Sequence, residues 1–422
     1  MNNFANLGLS DRILSQLASQ GLVTPTPIQE KAIPLVLEGR DVMGLAQTGT
    51  GKTAAFGLPL VHKLMKVGEK PAPKTVRALI LAPTRELVNQ IGDHLKAYTA
   101  NSHLKVGIIV GGVSIRPQIE RVARGTDIVI ATPGRLIDLL DRRAITLSET
   151  KYLVLDEADQ MLDLGFVHAL RKIATQLATP RQTLLFSATM PKLMAEISGS
   201  YLNDPVRVQV APPGKAADKV TQSVHYIAQA EKNKLLVEYL SRHRTEQALV
   251  FCRTKHGSEK LMKNLVAAGY EASSIHGNKS QAQRERALKA FRDGRLMVLV
   301  ATDVAARGID IPGVRHVYNY DLPNVPENYI HRIGRTARAG ADGAAVAFCS
   351  PAEMGELRAI EKVMKITISV GGGSPWQHQG DTEKKKPQGK WRRRGGGQGR
   401  PKQGGQKFGG PKSGGRKPRR AA

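Results

Sequence analysis

The sequence predicts an α/β protein of two tandem domains, each a parallel sheet covered by helices, followed by a disordered basic C-terminal tail. Three observations lead there. Short β-rich apolar runs alternate with helix-length amphipathic stretches in two successive series. At 422 residues the chain is longer than one hydrophobic core usually serves, and a hydrophobic content of 41% can fill two. From Gly371 onward the composition turns to Gly, Lys, Arg, Gln and Pro, with too little apolar surface to offset the entropy of ordering.

The first series predicts strands over Asp41–Ala46, Ala78–Pro83, Val106–Gly111, Asp127–Thr132, Tyr152–Asp156 and Thr183–Ser187. Each run stops at a polar or Gly/Pro cluster, and in open α/β sheets the loops after the carboxyl ends of strands hold the ligands. The second series predicts Val224–Ile227, Ala248–Cys252, Ala272–His276, Leu296–Thr302, His316–Tyr320 and Ala344–Cys349. Between them Ala211–Lys219 is small and rich in breakers, the composition of a linker. The expected division is therefore 1–210, a linker over 211–219, 220–370, and a tail over 371–422.

The formal net charge of +27 points to a polyanionic partner. Residues 371–422 carry 15 Lys/Arg against 2 Asp/Glu, so tail and body share the excess about equally. Nucleic acid fits better than a membrane, because neither a basic amphipathic anchor nor a long apolar span is visible. Met1–Leu17 lacks the basic and apolar regions of a signal peptide, so a cytoplasmic location is expected. Cys252 and Cys349 sit in apolar runs without ligand-like spacing and are expected to be buried, reduced thiols.

Three strings carry the chemistry. Ala46-Gln47-Thr48-Gly49-Thr50-Gly51-Lys52-Thr53 supplies what a phosphate loop needs: small residues that let backbone N–H groups approach, a lysine for the phosphate oxygens, and a hydroxyl for Mg²⁺. Asp156-Glu157-Ala158-Asp159 follows a buried-strand pattern, so Asp156 would present a carboxylate to the metal and Glu157 would polarise the attacking water. His331 to Arg338 (HRIGRTAR) lies too far along to share the first domain, and its Arg335 and Arg338 are the guanidinium groups that a γ-phosphoryl transition state wants. Together these imply hydrolysis of ATP between two bodies, completed only when the cleft is closed.

With Gly21–Gln29 (GLVTPTPIQ), Pro83–Leu87 (PTREL), Gly111-Gly112, Thr132–Arg135 (TPGR), Ser187–Thr189 (SAT), Val250–Thr254 (VFCRT), His276–Arg284 (HGNKSQAQR) and Ala301–Asp310 (ATDVAARGID), the chain resembles the DEAD-box RNA helicases of superfamily 2 from Phe4 to about Ile368. FCRTKHGS, IHGNKSQ, DLPNVPENY and the basic tail look most like the bacterial RhlE subgroup. The resemblance implies two RecA-like domains, a Q motif over residues 2–30, ATP and Mg²⁺ as ligands, and RNA as partner. It implies that Gln29 reads the adenine edge and Phe4 stacks on the base, that Asp310 binds the ribose, and that Arg307 sits near the γ-phosphate. It assigns RNA contacts to Arg85, Gly112, Arg135, Arg284 and Thr302, and coupling to Ser187, Thr189 and His331. Ala337 replaces a glycine common in the family, a change that matters only if the backbone is left-handed there.

The implied activity is RNA-stimulated ATP hydrolysis driving local, non-processive unwinding or remodelling of RNA–protein complexes. An ATP-gated RNA clamp and a DNA helicase remain open as alternatives. Both tryptophans, Trp376 and Trp391, are expected in the tail, where they could stack on bases. The family's roles in ribosome assembly, RNA decay and cold adaptation, with their protein partners, are not distinguished by the sequence.

Overall fold

Buried on both faces, the expected apolar runs all become strands in the computed structural model, which describes residues 3–46, 49–210, 220–306, 313–337 and 343–376. The first sheet comprises β1 (Val42–Leu45), β2 (Val76–Leu81), β3 (Val106–Ile109), β4 (Thr126–Ala131), β5 (Tyr152–Leu155), β6 (Gln182–Ser187) and β7 (Val206–Gln209). Its strands are parallel, in the order β3-β4-β2-β5-β6-β1-β7. The second comprises β8 (Val220–Tyr226), β9 (Ala248–Phe251), β10 (Ala272–Ile275), β11 (Val298–Ala301), β12 (His316–Asn319), β13 (Gly343–Cys349) and β14 (Ser369–Gly372). It too is parallel, in the order β10-β11-β9-β12-β13-β8-β14.

Side-chain alternation divides each strand between two cores. On β2, Ala78 and Ile80 enter one core while Leu79 and Leu81 enter the other. On β9, Leu249 and Phe251 face one way and Ala248 and Val250 the other. Such two-sided burial is why these runs read as continuous apolar stretches. Cys252 and Cys349 are buried free thiols, and burial raises both above the ordinary thiol range. Among the described residues, no helix is long and apolar enough to cross a membrane.

Two strands were not expected, and both are sheet edges. Arg207 and Gln209 of β7 are exposed, and β14 is largely exposed and half glycine, so neither has the apolar signature of the central strands. β14 also corrects the proposed tail boundary at 370, since Gly371 and Gly372 belong to it. Beyond it the Trp376 indole N–H donates to the Cys349 carbonyl at 3.0 Å and the ring packs against the second core. Trp376 is thus part of the folded domain and not of the tail. The expected linker 211–219, the chain from 377 to 422 and Trp391 lie outside the described residues.

The carboxyl ends of three adjacent strands in the second sheet meet at one side chain. Arg332, 1% exposed, donates from Nε and Nη2 to both carboxylate oxygens of Asp303 at 2.5 and 2.8 Å, beyond β11. Its Nη1 donates to Asn319 Oδ1 at 3.1 Å and to the Asp321 carbonyl at 2.6 Å, at the end of β12. The guanidinium carbon lies 5.0 Å from the Phe251 ring at the end of β9, between those two strands. Beside it, fully buried Lys232 donates to Glu353 at 2.6 Å and to the Tyr320 carbonyl at 2.7 Å.

Two outcomes follow for stability. Ending the chain after residue 370 should destabilise the second domain by about 2 kcal/mol relative to ending it after Trp376, through lost aromatic burial and one hydrogen bond, as read by chemical denaturation. Replacing Arg332 by Met leaves Asp303 without its counter-charge and should cost about 3 kcal/mol in the same measurement.

Candidate active site

Strand order fixes how the chemical groups line up. Because β2, β5, β6 and β1 are consecutive neighbours, their carboxyl ends present Arg85, Asp156, Ser187 and the phosphate loop in that spatial order. Gly51 caps the helix Lys52–Met65 in a left-handed conformation (φ 87°) and directs its N-terminus at the loop. Lys52 is 6% exposed, and its ammonium group donates to the Ala46 carbonyl at 3.1 Å. Gln29 is tied in from the side: its Oε1 accepts from Thr26 N at 2.8 Å, capping the helix Pro27–Leu37, and its Nε2 donates to the Gly51 carbonyl at 3.0 Å. The amide retains one lone pair and one N–H, and it lines the adjoining cavity.

That cavity, of about 420 Å³, is shared between the domains. Gly49, Gly51, Lys52, Thr53, Asp156 and Glu157 come from the first domain and Arg335 from the second. Asp156 is 2% and Glu157 4% exposed. Burial raises both carboxyls above the usual range, against the opposing pull of Lys52 and, at Glu157, of Arg335. Glu157 has a left-handed backbone (φ 50°), which costs a non-glycine residue about 1–3 kcal/mol and is found where function constrains the chain. Its Oε2 is buried without a hydrogen-bond partner among the described residues. A pocket holding buried carboxylate oxygens, one of them unpartnered, beside a hydroxyl from Thr53 is chemically suited to a hard divalent cation.

Asp159, the fourth residue of its string, joins the coupling residues. Its Oδ2 accepts from Thr189 N and Thr189 Oγ1, both at 2.8 Å, and lies 4.0 Å from His331 Nε2 of the second domain. Ser187 Oγ accepts from Asp159 N at 3.3 Å and donates to the Thr189 carbonyl at 2.7 Å. The structure therefore brings Ser187, Thr189 and His331 together, through a carboxylate that was not assigned a role from sequence. His331 and Arg335 follow from the placement of Arg332 between them, and Arg335 Nε donates to the His331 carbonyl at 3.1 Å. The helix carrying this string stops at Ile333, so Arg335 lies past its end. Ala337 is left-handed (φ 54°), the circumstance in which its methyl group carries a cost, yet Arg335 still lines the cavity.

A second cavity, of about 430 Å³, also spans the domains and gathers Arg85, Arg135 and Arg284 with Gly111, Phe166 and Val304. Arg85 lies across Gly112, where a Cβ would stand 1.9 Å from Nη1; the glycine, at φ 74°, is what lets the guanidinium lie there. Arg135 donates from Nη1 and Nη2 to the Val113 carbonyl at 3.1 Å. Arg284 pairs across the interface with Glu86 at 3.1 Å, and Gln281 bridges Glu86 and Arg85 at 3.3 and 3.4 Å. Glu86 and Gln281 lie inside recognised strings, but their meeting spans 195 positions and has no local signature.

Other assigned residues lie away from the two cavities or outside the described residues. Phe4, expected to stack on a base, is 3% exposed within the first core and does not line the cavity. Thr302 does not line the second cavity; its carbonyl accepts from Ala305 N and Ala306 N at 3.0 Å, starting the helix Asp303–Ala306. Arg307, Asp310 and Arg338 lie outside the described residues.

Residues 26–197 match the DEAD/DEAH box helicase model and residues 231–340 the helicase conserved C-terminal domain. The ATP-dependent RNA helicase CshA of Listeria monocytogenes is 44% identical over 89% of this chain and 71% of its own length. Among solved structures, S. cerevisiae Dbp5 bound to RNA and ADP BeF3 superposes with a TM-score of 0.80 at 31% identity, covering 88% of this chain and 96% of that one. Mss116p bound to ssRNA and AMP-PNP gives 0.79 at 31% identity, covering 88% and 78%. With two family models matched in order and a relative 44% identical across most of both chains, this chain belongs to the DEAD-box helicase family.

Proposed function

We propose that this chain is an ATP-dependent RNA helicase in which closure of the two domains both completes the hydrolytic centre and grips one RNA strand. The observation that carries the reading is a single arrangement with two consequences. It sets Arg335 beside the buried Lys52, Asp156 and Glu157, and it sets Arg284 beside Arg85 and Arg135.

In this reading the phosphates of ATP lie on the N-terminus of the helix Lys52–Met65, and Lys52 leaves the Ala46 carbonyl for a phosphate oxygen. The free lone pair and N–H of Gln29 form the two-point contact with adenine. Thr53 and Asp156 would hold Mg²⁺, which supplies positive charge at the phosphate oxygens. Glu157 orients the water through its unpartnered Oε2, and Arg335 stabilises charge on the γ-phosphoryl group. Arg307, Asp310 and Arg338 are proposed to complete the second domain's contribution.

Arg85, Arg135 and Arg284, with the backbone at Gly112, suit phosphate and sugar contacts that carry no sequence information, and 2′-hydroxyl contacts would select RNA over DNA. Because ATP and RNA each bridge the domains, each favours the same closed state and strengthens the other's binding. A strand bent to fit cannot remain in an A-form duplex, so base pairs open locally. The basic residues beyond Trp376 add non-specific affinity by counterion release. A cytoplasmic location and Thr302 as a further RNA contact complete the reading.

The decisive experiment is ATP turnover by the full chain with and without single-stranded RNA or DNA of one sequence. RNA should stimulate strongly and DNA weakly, with Lys52→Ala and Glu157→Gln reducing the stimulated rate by at least about 10³-fold. Stimulation by both nucleic acids alike would refute the RNA assignment. Gly112→Ala should displace Arg85 and weaken RNA binding about ten-fold in a fluorescence titration without altering the basal rate.

A further inference from the structure

Arg335 emerges past the end of a helix, in a segment whose neighbours determine where its guanidinium points. Arg332 and Thr336 are four positions apart, and these two side chains hold opposite ends of one strand. Arg332 donates to Asn319 Oδ1 and the Asp321 carbonyl at the carboxyl end of β12. Thr336, 3% exposed, directs its hydroxyl at the carbonyls of Val314 and Arg315 before the amino end, at 2.6 and 3.0 Å. Arg335 lies between the two anchors.

The Thr336 hydroxyl fits only because the neighbouring strand begins with glycine. A Cβ on Gly343 would stand 2.2 Å from Thr336 Oγ1, 2.8 Å from its Cγ2 and 2.6 Å from Ala337 N. A backbone atom is among those contacts, so the conflict could not be relieved by a side-chain rotation alone. Immediately afterwards Ala337 is left-handed at φ 54°.

We propose that Thr336, seated in the gap left by Gly343, is a positioning residue for the hydrolytic reaction, fixing Arg335 against the strand β12. The proposal rests on the role given to Arg335 above. Thr336 lines neither cavity; it acts by restricting the backbone on the far side of the arginine, as Arg332 does on the near side. A buried carbonyl that loses its hydroxyl partner retains its desolvation cost, so removing the group disturbs the local backbone as well as freeing it.

The test is RNA-stimulated ATP turnover by full-length Thr336→Val, Thr336→Ser and Gly343→Ala, each measured below its own thermal midpoint. Valine keeps the shape without the hydroxyl and should lower kcat about ten-fold with KM for ATP changed by less than about two-fold. Serine should restore kcat to near the parent value, and Gly343→Ala should reproduce the valine effect. On an Arg335→Ala background, Thr336→Val should add less than about two-fold, because the arginine it positions is absent. Unchanged kcat in Thr336→Val, or an equal loss in the serine variant, overturns the proposal. Valine insoluble with serine and Gly343→Ala at parental kcat overturns it as well. Full turnover in Arg335→Ala alone would instead overturn the underlying role of Arg335.

Discussion

The buried guanidinium of Arg332 is the constraint on which the inter-domain chemistry depends. Removing a charge from water is costly, and such a group is tolerated only when its donors are met with good geometry. Here two carboxylate oxygens, one amide oxygen, one main-chain carbonyl and an aromatic face meet it. These groups come from the ends of β9, β11 and β12, so the second sheet and the HRIGRTAR string cannot shift independently. His331 and Arg335 consequently reach the first domain from a rigid base.

What they reach is an electrostatically unbalanced pocket. Asp156, Glu157 and Asp159 are all buried, with Lys52 and Arg335 as opposing charges at the first two. Burial raises the carboxyls of Asp156 and Glu157, and the strained backbone of Glu157 holds an unpartnered oxygen toward the cavity. Low dielectric strengthens every charge interaction in such a place, so the entry of a cation or a polyphosphate has a large effect on the groups around it. Asp159 takes a different part. It is held by Thr189 and faces His331 across the domain boundary.

The second cleft is held by one ion pair and two hydrogen bonds across the interface. Glu86 occupies Arg284, and Gln281 bridges Glu86 to Arg85. A phosphate entering there would exchange one oxygen ligand for another, so the guanidinium groups need not be moved from water. Both clefts share one interface, which is the physical basis for linkage between them.

The central strands and the chemical strings were legible because each depends on local pattern: an apolar run buried on two faces, a Gly-rich loop before a helix, carboxylates at a strand end. Edge strands β7 and β14 escaped because one exposes Arg207 and Gln209 and the other is half glycine, and Trp376 was consequently placed in the tail. Phe4 packs in the first core, a contact that its local sequence does not signal. By itself, then, the sequence determined two parallel-sheet domains and the strings at the carboxyl ends of their strands. Only tertiary structure decided that Asp159 faces His331, that Glu86 holds Arg284, and that Arg332 is fixed at the ends of β11 and β12. Those relations join positions well over a hundred residues apart or set a side chain by the strand it rests on, and neither strand order nor domain placement is written in local periodicity.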